Sequence, residues 1–229
     1  MTLWLSRMRI RRDPSAEALA ALIDPEADAS DCEAQGRRHD AHHRLVWTLF
    51  AGDREARRDF LWRDEGNGAF TILSQKPPVE APLFEPPETR PFTPDLAPGD
   101  RLGFLLRANA TKAKSGVGRV DVVMDRLHGI PKRDRPERRM DLAQEAAVDW
   151  MERLGQRKGF APLRVSVQHY STATLPGYRG KRAGEPRYGL LDLEGVLTVK
   201  DTETFIEALG KGFGRAKAFG CGLMLLRRA

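Results

Sequence analysis

Residues 188–227 read YGLLDLEGVLTVKDTETFIEALGKGFGRAKAFGCGLMLLR, and their order decides the fold. Residues 188–199 have the leucine- and valine-rich composition of a strand. Asp201 is a helix N-cap residue, and the segment through Leu209 predicts a short helix. A glycine-rich loop follows, and residues 222–227 predict a closing strand. Upstream, residues 163–170 predict a strand joined to 188–199 by a basic hairpin. Residues 141–157 predict an amphipathic helix whose buried stripe is Leu142, Ala146, Trp150 and Leu154. Residues 101–107 (RLGFLLR) predict a strand before it. The order is β-α-β-β-α-β, the ferredoxin-like arrangement.

The first half matches the opening of the same pattern. Residues 3–10 have strand-like composition, Asp13-Pro14 opens a short helix over 15–23, and residues 38–50 (RHDAHHRLVWTLF) predict a strong helix. Residues 59–63 and 69–74 predict a hairpin around Asn67-Gly68, a pair suited to positive φ. Eight of the fifteen prolines lie between Pro77 and Pro98, which excludes a continuous helix or central strand there and predicts a stiff, extended linker. A short strand near residues 90–93 is compatible with the first domain. The expected fold class is therefore α+β, with two tandem ferredoxin-like (RRM-like) domains at 1–94 and 95–229.

Composition narrows the function. The chain has 229 residues, 38 Lys plus Arg against 32 Asp plus Glu, and a formal net charge of +6. Cys32 and Cys221 are too few for a disulfide framework or a four-thiolate zinc site. No His/Cys/Asp/Glu spacing matches a zinc finger or zincin, so no metal and no cofactor are expected. No apolar run approaches the roughly 18 residues a membrane helix needs, and arginines near the N-terminus do not suit a signal peptide; the expectation is a cytoplasmic protein with no membrane partner.

The modest net charge conceals segregation. Residues 23–36 carry five acids and no base, residues 107–139 carry ten bases against four acids, and residues 211–229 carry five bases and no acid. A further cluster, Arg179, Lys181, Arg182 and Arg187, lies in the basic hairpin. Several cation clusters in one half of a chain are the electrostatic footprint of a phosphate backbone, although each alone suits a solvated face. In Gly210–Gly222, five glycines are interleaved with Lys211, Arg215 and Lys217, which lets backbone amides approach an anion. The loop follows a helix and precedes a strand, the reverse of a dinucleotide fingerprint.

Four features together resemble one family. They are the block Gly195-Val196-Leu197-Thr198-Val199 through Gly214-Arg215-Ala216-Lys217-Ala218-Phe219-Gly220-Cys221-Gly222-Leu223, the run Leu106-Arg107-Ala108-Asn109, the run Asp59-Phe60-Leu61, and His43-x-x-x-Trp47-x-Leu49-Phe50. This pattern resembles the CasE-type CRISPR RNA-processing endoribonucleases, and it spans essentially the whole chain. The resemblance implies two ferredoxin-like domains and metal-free cleavage of a CRISPR repeat RNA at the base of its stem-loop. It further implies retention of the mature crRNA and assembly with other Cascade subunits.

Metal-free RNA cleavage needs a proton acceptor for the 2′-hydroxyl, a proton for the leaving 5′-oxygen, and a cation for the phosphorane; histidine suits the proton transfers. The residues alone leave His42 and His43 open, and the family pattern selects His43. Related enzymes often carry a tyrosine where this chain has Asp40. A carboxylate there is expected to orient the imidazole and raise its pKa, with Arg44 or Lys112 taking more of the charge stabilisation. The catalytic candidates are thus His43, Asp40 and Lys112. The RNA-binding candidates are Arg44, Arg107, Lys114, Arg119, Arg126, Lys132, Arg133, Arg135, Arg138, Arg139, Arg179, Lys181 and Arg182, with Lys211, Gly212, Gly214, Arg215 and Lys217 of the loop. Tyr170 and Tyr178 are read as core or hairpin residues, and His128 and His169 as structural or RNA-contacting. The competing readings are a non-catalytic RNA-binding scaffold and a nucleotide-binding enzyme.

Overall fold

The computed structural model describes residues 2–13, 15, 32–50, 58–175 and 187–229. The chain clusters into two compact units: Met1–Thr93 with Ala173–Arg187 and Lys217–Leu223, and Pro94–Thr172 with Tyr188–Ala216 and Met224–Ala229. The chain therefore returns twice to the first unit after the second has begun, and the glycine-rich stretch divides between Ala216 and Lys217.

In the first unit, β1 (Leu3–Arg9) is followed by α1 (Cys32–Trp47), which continues as a 3-10 turn at Thr48–Phe50. Then come β2 (Phe60–Gly66), β3 (Ala69–Ser74) and β4 (Glu88–Phe92). The sheet order is β2-β3-β1-β4, with β1 antiparallel to both β3 and β4. This is the ferredoxin-like order without a second helix among the described residues. The turn between β2 and β3 has positive φ at Asn67 (51°) and Gly68 (69°), the two-residue hairpin geometry that this pair favours.

The helix α1 starts at Cys32, six residues before the expected start. Glu33 stands in its first turn, where a negative charge complements the helix dipole. The proline-rich stretch also differs from the expected linker. The amide of Val79 donates to the carbonyl of Leu49, Phe84 is 1% exposed in the core, and Glu88–Phe92 completes the sheet. Phe84 packs with Met8, Leu45, Val46, Leu49, Trp62, Phe70 and Ile72. A buried aromatic ring there removes more apolar surface from water than a solvated linker would. The expected helix over 15–23 lies almost wholly outside the described residues.

The second unit contains β5 (Arg101–Ala108), the hairpin β6 (Thr111–Lys114) and β7 (Gly118–Asp121), and the helices α2 (Val122–His128) and α3 (Arg135–Lys158). Then follow β8 (Phe160–Thr174), β9 (Arg187–Val199), α4 (Thr202–Lys211) and β10 (Met224–Arg228). The order β10-β5-β9-β8 again matches the ferredoxin-like arrangement. Leu142, Ala146, Trp150 and Leu154 are buried, as the helical period requires. Asp201 caps α4 by accepting from the amide of Thr204. The basic excursion is an ordered hairpin and helix, and α3 starts at Arg135, which puts Arg135, Arg138 and Arg139 on that helix.

Candidate active site

The helix α1 carries two adjacent histidines, and about 100° of rotation per residue turns them to different surroundings. His42 is 5% exposed and packs edge-on against Phe70 (ring centroids 5.2 Å) and Trp62 (6.3 Å). Its Nδ1 lies 3.3 Å from Oδ2 of Asp64. Burial disfavours the ionised Asp64 carboxylate, but the hydrogen bond and charge of His42 and the amide of Gly66 outweigh it and hold the pKa at about 2. His42 therefore tethers the helix to β2.

His43 is half-buried among Trp47, Phe60 and Phe219, with ring centroids 5.9, 6.4 and 6.5 Å away. Its Nε2 is buried and has no hydrogen-bond partner among the described residues. Phe60 is itself stacked on Phe50, with ring centroids 4.5 Å apart. Phe219 comes from the 3-10 turn Lys217–Phe219, which is anchored where Nε1 of Trp62 donates to the carbonyl of Ala218.

The pKa of His43 is lowered, first by burial and then by the nearby Arg58 charge; Asp40 pulls the other way and Arg44 adds a further lowering. The expected upward shift from Asp40 is thus present but outweighed. Asp40 accepts a 2.5 Å hydrogen bond from Arg44 one turn later, so its charge is largely compensated within the helix. Arg58 was not among the sequence candidates. It is half-buried, its own pKa is lowered by burial, and its Nη1 is buried without a partner among the described residues. Nothing in the run Arg57-Arg58-Asp59 marks it, because its significance comes from burial beside His43.

A family model described as "CRISPR associated protein" matches residues 3–228. The chain belongs to this family. It is 29% identical over 191 residues to the CRISPR system Cascade subunit CasE of Escherichia coli, covering 80% of this chain and 89% of that one. It is 33% identical over 153 residues to the CRISPR-associated endoribonuclease Cse3 of Thermus thermophilus, covering 63% of this chain and 62% of that one. Among solved structures, the CRISPR endoribonuclease Cse3 bound to a 19-nucleotide RNA superposes with a TM-score of 0.67 at 23% identity, covering 99% of this chain and 100% of that one. That likeness supports the tandem ferredoxin-like fold.

Most of the other candidates fall in the second unit, where many are neutralised, while Lys217 belongs to the first. Arg107 makes a bidentate pair with Asp192, its cross-strand neighbour on β9, at 2.7 and 2.9 Å. Lys112 and Lys114 converge on Asp125 at 2.7 and 2.6 Å, holding that carboxyl at about 2. Arg126 bridges Glu145 and Asp149 on α3. Arg139 lies over the ring of Tyr170, 4.8 Å from its centroid, and the hydroxyl of that buried tyrosine donates to Asp121. Arg133 pairs with Asp134, Arg135 donates to the carbonyl of Ile130, and Lys211 pairs with Glu207. Lys132, Arg138, His128 and His169 are exposed. Arg179, Lys181, Arg182 and Tyr178 lie outside the described residues.

Among the described residues, no group of three or more His, Cys, Asp and Glu side chains is arranged to hold a metal ion. No described helix is long and apolar enough to cross a membrane.

Proposed function

We propose that this chain is a metal-independent endoribonuclease that cleaves CRISPR repeat RNA at the base of its stem-loop and stays bound to the mature crRNA as a Cascade subunit. Its relatives' names support the coarser part of this reading, an endoribonuclease and a Cascade subunit. The observation that carries the chemistry is the buried, unpartnered Nε2 of His43. A buried ring nitrogen without a hydrogen bond is costly, and a substrate hydroxyl is the group that would satisfy it.

The lowered pKa keeps the imidazole neutral at physiological pH, so His43 acts as general base. It takes the proton of the 2′-hydroxyl as that oxygen bonds to phosphorus. The bond from phosphorus to the 5′-oxygen breaks, and that oxygen takes up a proton from water, the hydroxide so formed being neutralised by the proton that His43 releases. The products carry a 5′-hydroxyl and a 2′,3′-cyclic phosphate, which can open to a 3′-phosphate. Arg58, half-buried and with one guanidinium nitrogen unpartnered, stabilises the charged phosphorane. His42, committed to Asp64, takes no part in proton transfer.

The experiment is incubation with a synthetic repeat hairpin in excess chelator, followed by mapping of the product ends. Cleavage at the stem base, lost when the attacking 2′-hydroxyl is replaced by hydrogen, is the expected result; cleavage that persists without that hydroxyl overturns the mechanism. The same assay tests the scaffold reading, which the Asp40–Arg44 pair in place of a family tyrosine favours: binding without cleavage would establish it.

A further inference from the structure

The second unit holds a cavity of about 530 Å³ that the mechanism above does not use. Around it stand Arg119 from β7, Arg157 and Lys158 from the last turn of α3, Arg215, and the backbone of Gly212 and Gly214. No carboxylate among the described residues makes an ion pair with any of these four cations, whereas Arg107, Lys112, Lys114, Arg126 and Lys211 each have one. Glu207, whose carboxyl feels the charge of Lys158, is itself bonded to Lys211. Four uncompensated positive charges from three elements repel one another.

The ordinary reading is that Arg157 and Lys158 complement the C-terminal dipole of α3. It accounts for those two and leaves Arg119 and Arg215 without a reason to converge there. The loop adds backbone donors. The amide of Gly212 is spent on Ala208 and that of Arg215 on Asn109, while those of Phe213 and Gly214 make no backbone hydrogen bond among the described residues. Gly214 has φ of 74°, and a Cβ on it would lie 2.7 Å from the carbonyl oxygen of Asn109, so only glycine lets the chain turn here. Successive amides in such a turn form an anion-binding concavity.

We infer that this cavity is a phosphate-binding subsite that takes the backbone of a single RNA strand, with Arg119, Arg157, Lys158 and Arg215 as its charged contacts. Arginine forks, a lysine and free amides match phosphate oxygens. A cavity of this volume, with Trp150 in its lining, accommodates a nucleotide or two and is too small for a duplex. The RNA source of the phosphate rests on the proposed function; the phosphate chemistry does not.

The test uses the double variant R157Q/K158Q, whose side chains lie away from the core, with its thermal unfolding checked against the unmodified protein. One probe is a repeat stem-loop with its single-stranded flanks, made uncleavable by a 2′-deoxy residue at the cut site. The others are AMP and inorganic phosphate. The expected result is a roughly tenfold weaker affinity for the RNA at about 0.15 M salt, with the slope of log K against log salt smaller by about 1.4. AMP or phosphate binding that is lost in the variant, with RNA affinity unchanged, supports the phosphate site and overturns the RNA source. Unchanged RNA affinity and slope, with no AMP or phosphate binding to the unmodified protein, overturns the subsite. Failure of the unmodified protein to cleave a repeat hairpin would instead sink the proposed function, so the two outcomes are distinguishable.

Discussion

The indole nitrogen of Trp62 donates to the carbonyl oxygen of Ala218 at 3.2 Å, joining residues 156 positions apart. This bond holds the 3-10 turn that presents Phe219 to His43. Gly220 follows with φ of 75°, and a Cβ there would come within 3.2 Å of the Trp62 ring. Trp62→Phe should cost about 2 kcal/mol, from the lost hydrogen bond and the unfilled space. It should also slow cleavage more than it weakens RNA binding. Urea unfolding and single-turnover rates check both, and an unchanged cleavage rate would separate the turn from the site.

His43→Ala should lower the cleavage rate about 10²–10⁴-fold, the usual worth of a positioned general base, with RNA affinity nearly intact. His42→Ala should behave in the opposite way. It removes the side-chain partner of the partly buried Asp64 and leaves it only the Gly66 amide, so the principal effect is a loss of about 2 kcal/mol in stability. Parallel rate and unfolding measurements on the two variants assign the roles.

The cleavage rate should fall on the acid side as His43 becomes protonated, with an inflection below the ordinary histidine value because burial and Arg58 disfavour the cation. Arg58→Gln removes one of those causes, so the inflection should move up in pH while the maximal rate falls by roughly 10²-fold through loss of phosphorane stabilisation. A pH–rate profile of each protein reads both effects. A fall in rate with no movement of the inflection would place Arg58 on the phosphorane alone.

Asp64 predicts an acid limb in stability. Its folded pKa of about 2 lies below the ordinary 3.8, so its contribution is present above pH 3.8 and is lost as pH falls toward 2. The amount is about 2 kcal/mol. Asp64→Asn should remove that limb, and its stability should be flatter than that of the unmodified protein between about pH 4 and 2. Urea midpoints across that range are the measurement.

Much of the fold was legible because local chemistry carries it. The Asn67-Gly68 turn, the Asp201 cap and the stripe from Leu142 to Leu154 are short-range signals, and each element appears where its signal lies. Boundaries were less legible. Nothing local distinguishes Cys32–Arg37 from the acidic sequence before it. The prolines correctly excluded a helix but could not show that Phe84 packs into the core, since proline constrains its own backbone and says nothing of what a neighbouring ring will cover.

The candidate site divides in the same way. The helix and its adjacent histidines were legible from sequence, and the family pattern pointed to His43. From the residues alone, His42 and His43 were equivalent, because periodicity defines a face without saying what occupies it. The cation clusters read as one RNA-binding surface because charges in sequence come without their partners. Arg107 finds Asp192 85 positions away, while Arg119 and Arg215 find no carboxylate among the described residues.

By itself, then, the sequence determined the main strands and helices of the second ferredoxin-like pattern, the opening of the first and the helix that bears the histidines, all matters of spacing over a few residues. Only the tertiary structure decided which histidine lies against the Asp64 carboxylate and which lies among Trp47, Phe60 and Phe219. It also brought the charge of Arg58 close enough to lower the His43 pKa and separated the cations paired with carboxylates from those without one among the described residues. Burial and ion pairing are properties of neighbours distant in the chain, and those neighbours are set only when the sheets and helices have packed.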